Sequence, residues 1–227
     1  MKDFSILLLN NNRSKSYLQN FLRRGHKPNH AIVMGSEDAY GSTPSVMQAI
    51  EGYCCFFDSG ISVFDTLRKH GIPHTAMGHM DVNSPEVAAC AGSIETSHII
   101  YSGPAGVILR DGILNVGKTF VHAHPGLLPD FKGSTTMYYS MLIKKEIGCS
   151  VIAMNREIDG GDILHMKTFK IPKNPIDFDM VLDPIVRTES LLEWLDKSDD
   201  QILPNGEGDT YYIIHPVLKH LARLKNV

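Results

Sequence analysis

Phe4-Ser5-Ile6-Leu7-Leu8-Leu9, the turn Asn10-Asn11-Asn12-Arg13-Ser14, the spaced apolar residues Tyr17, Leu18, Phe21 and Leu22, and the run His30-Ala31-Ile32-Val33-Met34 together decide the fold. The first run is almost wholly apolar, as a strand buried on both faces requires. The spaced residues follow a helical period, and Gly25 stops that helix. The last run is a second short strand, closed by Gly35-Ser36. A strand, a helix and a strand joined by short connections form a β-α-β unit, the beginning of a parallel sheet.

The same alternation continues outward. Residues 61–70 have helical spacing and stop at Gly71, residues 73–76 are extended, 85–91 form a short helix and 97–101 a strand. Further expectations are a strand over 120–124, a helix over 135–146 ending at Gly148, and strands over 150–154 and 163–171. Residues 174–195 read as helix-rich, and a strand over 211–216 precedes a basic helix over 217–224. The expected architecture is α/β: a Rossmann-like, mostly parallel sheet with helices on both faces. It occupies residues 1–200, and a short helix and strand tail over 201–227 lies on the domain or at an interface.

Chemistry concentrates in Val121-His122-Ala123-His124-Pro125-Gly126-Leu127-Leu128-Pro129-Asp130-Phe131-Lys132-Gly133 and in Glu157-Ile158-Asp159-Gly160-Gly161. On an extended backbone, side chains at i and i+2 leave by one face, so His122 and His124 address one centre. Pro125 ends the strand. In open α/β sheets ligands bind beyond the carboxyl ends of strands, and both histidines fall at such an end. The plain alternative is a hydrogen-bonded structural histidine beside a turn aspartate. His-x-His with an aspartate is also a possible metal-ligand set, but the neighbourhood supplies no third His or Cys, and no metal is expected.

The His-Pro-Gly-Leu-Leu-Pro-x-Phe-x-Gly segment resembles the Asn-x-His-Pro-Ser-Leu-Leu-Pro-x-x-x-Gly signature of the folate-dependent formyltransferases. The pair Ile147-Gly148-Cys149-Ser150-Val151 and Glu157-Ile158-Asp159-Gly160-Gly161 is similar to that family's second motif. The family includes glycinamide ribonucleotide, methionyl-tRNA and nucleotide-sugar formyltransferases.

The resemblance implies transfer of a formyl group from 10-formyltetrahydrofolate to a primary amine of a small metabolite. An amino sugar nucleotide is a plausible acceptor on length, because the tRNA-directed enzymes carry an additional C-terminal β-barrel. Such a transfer needs an oxyanion stabiliser and a proton relay, which suit an imidazole tuned by a carboxylate. His124 is the expected relay, Asp159 its partner, and His122 the donor to the formyl oxygen where most of the family has Asn. Ungapped matching puts the folate site at Gly106, Val107, Ile108, Asn155, Arg156 and Asp159.

The first turn, Asn11, Asn12 and Arg13, is where a helix N-terminus receives a phosphate in related enzymes. It lacks their glycine-rich loop, which weighs against glycinamide ribonucleotide as the acceptor. Tyr138, Tyr139, Tyr211, Tyr212 and Trp194 are candidates for the acceptor wall or for packing. Hydrolysis releasing formate, and folate binding without catalysis, are the rival functions.

Composition fits one globular domain of 227 residues. A net charge of −3 offers no basic footprint, so no nucleic acid is expected. No apolar run approaches the ~18 residues of a membrane span. Cys54, Cys55, Cys90 and Cys149 show no disulfide or C-x-x-C spacing, which predicts reduced thiols in a cytoplasmic protein. The tail aromatics also admit a homodimer.

Overall fold

The computed structural model describes residues 2–37, 50–174, 176–198 and 202–224. The elements in chain order are β1 (Phe4–Leu9), α1 (Asn12–Arg23), β2 (Ala31–Met34), α2 (Val63–Lys69), β3 (His74–Ala76), α3 (Pro85–Ser93), β4 (His98–Ser102) and α4 (Asp111–Leu114). They continue with β5 (Thr119–His124), β6 (Lys132–Gly133), α5 (Thr136–Lys144), β7 (Ile147–Ala153) and β8 (Ile163–Phe169). A π-helical turn (Phe178–Leu182) then leads into α6 (Asp183–Asp196), followed by β9 (Thr210–Tyr211) and α7 (Pro216–Leu224).

Seven strands form one sheet in the order β3-β2-β1-β4-β5-β7-β8. The pairings from β3 to β5 are parallel, and β5–β7 and β7–β8 are antiparallel. The sheet is thus mostly parallel, with a hairpin added at one edge. Side chains alternate across it: Phe4, Ile6 and Leu8 join the core under α1, α2, α5 and α6, while Leu7 and Leu9 join the core under α3 and α4. Both faces are therefore covered, which accounts for the lack of alternation in the sequence of β1.

The chain leaves β1 toward β2 and β3, then returns to place β4 on the other side of β1. Beyond the carboxyl ends of β1 and β4 this reversal opens a crevice. The histidines lie on the neighbouring β5, where His122 pairs in register with Ile152 and His124 with Ser150.

Two segments differ from the sequence expectation. The strand expected over 211–216 shrinks to β9, because its partner β6 has only two residues and Pro216 starts α7. The helix-rich segment opens with a π turn, whose cause is Pro184. This residue has no N–H to give the Met180 carbonyl four residues back, and the Asn12 side chain donates to that carbonyl instead at 3.0 Å.

Among the described residues no helix is long and apolar enough to cross a membrane.

Candidate active site

Pro125 terminates β5 and turns the chain so that residues 125–131 fold back beside His124. Leu128 N–H donates to Ser150 Oγ at 3.0 Å, and that hydroxyl donates to the Gly126 carbonyl at 2.8 Å, fastening the turn to β7. The imidazole of His124, only 2% exposed, is then gripped from behind. Its Nε2 donates to the Phe131 carbonyl at 2.7 Å, with Thr136 Oγ1 at 3.3 Å. The Thr136 hydroxyl gives its own proton to the Pro125 carbonyl at 2.9 Å, so it presents a lone pair to the ring.

Gly126 is required by this packing. A Cβ there would stand 2.7 Å from Nε2 and 2.7 Å from the Phe131 carbonyl oxygen.

The other nitrogen, Nδ1, faces Asp159 Oδ1 at 3.2 Å. Both ring nitrogens therefore face acceptors, which fixes the plane of the ring. Asp159 sits in the loop between β7 and β8 with φ +49°, a left-handed conformation that Asp tolerates better than most residues. Gly133 N–H donates to its Oδ2 at 2.8 Å, and Asn205 Nδ2 donates to its carbonyl at 2.6 Å and to that of Gly161 at 3.0 Å. Burial disfavours the Asp159 carboxylate. The His124 bond and charge, the Gly133 N–H and His122 outweigh it and hold the group at about 2.

His122 is held differently. Its Nε2 lies 3.4 Å from Arg187 Nη1 and its Nδ1 3.4 Å from the Tyr101 carbonyl. A guanidinium only donates and a carbonyl only accepts, so Nε2 carries the lone pair and Nδ1 the proton. Burial first, then the charges of Arg187, Arg13 and His124, press the His122 pKa well below the usual histidine range, against the pull of Asp159. This imidazole is neutral at neutral pH.

The cleft between these groups measures about 410 Å³. Gly106, Val107, Ile108, Asn155 and Asp159, the positions matched to a folate site, line it together with Arg13, His122 and His124. Three of the expected residues do not. Arg156 pairs with Asp111 on the surface, Asn11 caps α1 by accepting from Ser14 N–H at 3.0 Å, and Asn12 is committed to Met180. Of the candidate aromatics, Tyr211 and Tyr212 stand in the wall. Trp194 is sealed in the core with Tyr138, and Tyr139 packs on that core and tilts against Tyr211 at 4.6 Å.

Arg187 is the main wall residue that motif reading missed. It reaches the cleft from α6, where Nε contacts both Asp183 carboxylate oxygens at 2.9 Å. Its only trace in the sequence is an Asp183/Arg187 pair at i, i+4 in α6.

A Rossmann-like α/β domain that sets an imidazole–carboxylate pair in a cleft beyond the strand ends holds the groups that acid–base chemistry requires. Residues 69–177 match the family model of formyl transferases. The methionyl-tRNA formyltransferase of Buchnera aphidicola subsp. Acyrthosiphon pisum (strain Tuc7) is 38% identical over 95 residues, which are 40% of this chain and 30% of that protein. The chain thus matches under a third of that relative's length.

Among solved structures, the phosphoribosylglycinamide formyltransferase of Bacillus halodurans superposes with a TM-score of 0.58 at 16% identity, over 87% of this chain and 97% of that one. The N-formyltransferase of Helicobacter canadensis, solved with folinic acid and dTDP-3-aminofucose, superposes with a TM-score of 0.59 at 14% identity, over 93% of this chain and 71% of that one. At these identities the likeness is one of fold.

Proposed function

We propose that this protein transfers a formyl group from 10-formyltetrahydrofolate to a primary amine of a small metabolite. The observation that carries the proposal is the His124–Asp159 pair, fixed from behind on Nε2 and open toward the cleft at Nδ1. The walls fit a folate. Backbone groups of 104–109 and 154–159 offer donors and acceptors for a pterin edge, while the half-exposed Val107, Ile108 and Ile158 offer apolar contact for its aromatic parts. When bound, the folate supplies the formyl group as an activated amide.

The residues of the chain do the rest. Asp159 keeps the His124 ring oriented, so that Nδ1 can hold a proton beside negative charge developing on the formyl oxygen. As the amine attacks, the Asp159 carboxylate, ionised at any pH above about 2, orders a water or accepts the amine's proton. That proton passes to the departing nitrogen through the same pair. His122 occupies the family's asparagine position as a neutral ring.

An amino sugar nucleotide is our preferred acceptor, supported by the ligands named for the Helicobacter canadensis neighbour. A cytoplasmic location, with all four cysteines as free thiols, completes the proposal.

The test is a spectrophotometric assay of tetrahydrofolate release from 10-formyltetrahydrofolate with dTDP-amino sugars as acceptors. N-formylated product is expected. Formate release without an acceptor would replace transfer by hydrolysis, and tight folate binding without turnover would replace both by a binding role.

A further inference from the structure

Neither nitrogen of His122 has a proton free to give a substrate. Its Nε2 is the acceptor facing Arg187 Nη1, and its Nδ1 proton points at the Tyr101 carbonyl. Burial keeps the ring neutral at neutral pH, so no second N–H forms on it. His124 presents only Nδ1 to the cleft, and that nitrogen already faces Asp159. The tetrahedral oxyanion of formyl transfer therefore needs a donor from another residue.

Arg187 can supply it. The side chain reaches from α6 to the end of β5, where Nη1 donates to the Ala123 carbonyl and faces the His122 ring at 3.4 Å. Its Nε lies 2.9 Å from both carboxylate oxygens of Asp183. These anchors fix the plane of a rigid fork, and with it the direction of Nη2. Nη2 takes part in no hydrogen bond among the described residues, yet it is not sealed from solvent. The side chain is 12% exposed and lines the cleft with His122, His124 and Asp159. Asp183 answers its charge, and Glu157 and Asp159 line the same cleft, so Arg187 brings a directed donor rather than surplus charge. Burial disfavours the guanidinium cation, but Asp183 outweighs burial and holds the group above its usual range.

We infer that Arg187 is a catalytic residue whose Nη2 donates to the formyl oxygen, the part that the sequence assigns to residue 122. His122 is then a positioning residue, accepting from Nη1 so that the fork stays aimed. The inference rests on the formyl-transfer reading for the identity of the oxyanion. As the amine nitrogen bonds to the formyl carbon, the carbonyl π pair moves onto oxygen, where Nη2–H meets it. Return of that pair breaks the bond to the folate nitrogen, which takes up the proton that the amine has lost through Asp159 and His124. Attack by water would raise the same oxyanion in the same place.

The test uses the whole chain. Heteronuclear NMR of the imidazole nitrogens reads the His122 tautomer in the unmodified protein, with the lone pair expected on Nε2. A proton on Nε2 would overturn the inference. Isotope-edited infrared spectroscopy then follows the formyl carbonyl of bound 10-formyltetrahydrofolate. Its stretching frequency should fall on binding and return toward the free value in Arg187→Gln. Turnover of the donor, by amine or water, should lose ~10²–10³ in kcat in that variant, with KM for the donor within a few-fold. His122→Ala should lose about tenfold or more in kcat, whereas His122→Asn should keep it, because an amide oxygen also accepts from Nη1.

Unchanged frequency and kcat in folded Arg187→Gln overturn the inference and leave the transfer reading standing. If loss of the Asp183 and Ala123 contacts unfolds that variant, the tautomer and the two His122 variants decide, and full activity in His122→Ala overturns the inference. A donor that neither binds nor turns over removes the transfer reading and this inference together.

Discussion

Nε2 of His124 is occupied by the Phe131 carbonyl and faces Thr136 Oγ1, so only Nδ1 can exchange a proton on the cleft side. Replacing the ring removes the relay without touching the walls proposed for the folate. His124→Ala should lower kcat by ~10²–10⁴ while folate affinity, followed by fluorescence, stays within a few-fold. Parallel loss of folate binding and melting temperature would assign His124 to structure alone. His122 gives a second test, because its pKa is depressed in the folded state. The unfolded chain binds that proton near pH 6.5 and the native state only at lower pH, so stability is complete above about 6.5 and falls as pH drops below it. Asp159, held at about 2, contributes stability that is complete above about 4 and declines only as pH falls toward 2. Urea melts between pH 7 and 4.5 should thus show a loss that His122→Asn reduces and Asp159→Asn leaves in place, the remainder coming from His30 and His165, which burial also depresses. His122→Asn should also retain transfer activity, since an amide is what the family places there.

The loops that carry these residues are governed by close approach, and there the sequence is legible as pattern but not as cause. The two glycines after Asp159 stand out in the chain, yet the reason for the second appears only in three dimensions. A Cβ on Gly161 would sit 1.7 Å from the Ala153 carbonyl oxygen, where the loop crosses the end of β7. Gly161→Ala must therefore displace the loop that holds Asp159. We expect a cost of about 1–3 kcal/mol in unfolding free energy, accompanied by loss of transfer activity. Gly112→Ala is the matched control: it lies in α4 with no atom within 4 Å of the added Cβ, and it should gain up to ~1 kcal/mol from reduced unfolded-state freedom and better helix propensity. Calorimetric melts of the two variants would separate close approach from mere backbone freedom. β1, α1 and β2 were readable because burial on both sheet faces and a 3.6-residue period write directly into composition. The tail strand was over-read, since the apolar run Tyr211 to Ile214 resembles a strand while only Thr210 and Tyr211 find a partner.

Across the whole molecule, the site depends on contacts between residues far apart in the chain, and these left little trace in the sequence. Arg187 meets His122 across 65 positions, and Asn205 reaches the Asp159 loop across 46. Neither belongs to a motif, because one hydrogen bond from a distant side chain imposes no spacing or periodicity. The segment after residue 201 is fastened to the cleft at several points. Leu203 pairs with Ile163, β9 pairs with β6, and Ile214 N–H donates to Thr135 Oγ1 at 2.9 Å. Tyr211, Tyr212 and Ile213 complete the cleft wall, the last two about 80% exposed. If this segment works as part of the active-site scaffold, loosening it at one buried bond should impair chemistry more than folding. Asn205→Ala removes both amide bonds, to the Asp159 and Gly161 carbonyls, and leaves β9, α7 and the aromatic wall in place. The expected stability loss is about 1–3 kcal/mol, from two carbonyls left without their donor. The left-handed Asp159 backbone then loses the bond that holds its carbonyl, and Oδ1 no longer holds a fixed position against Nδ1 of His124. Transfer kinetics should accordingly show kcat reduced with KM for folate nearly unchanged, whereas a tail that serves only as a cover would raise KM and spare kcat.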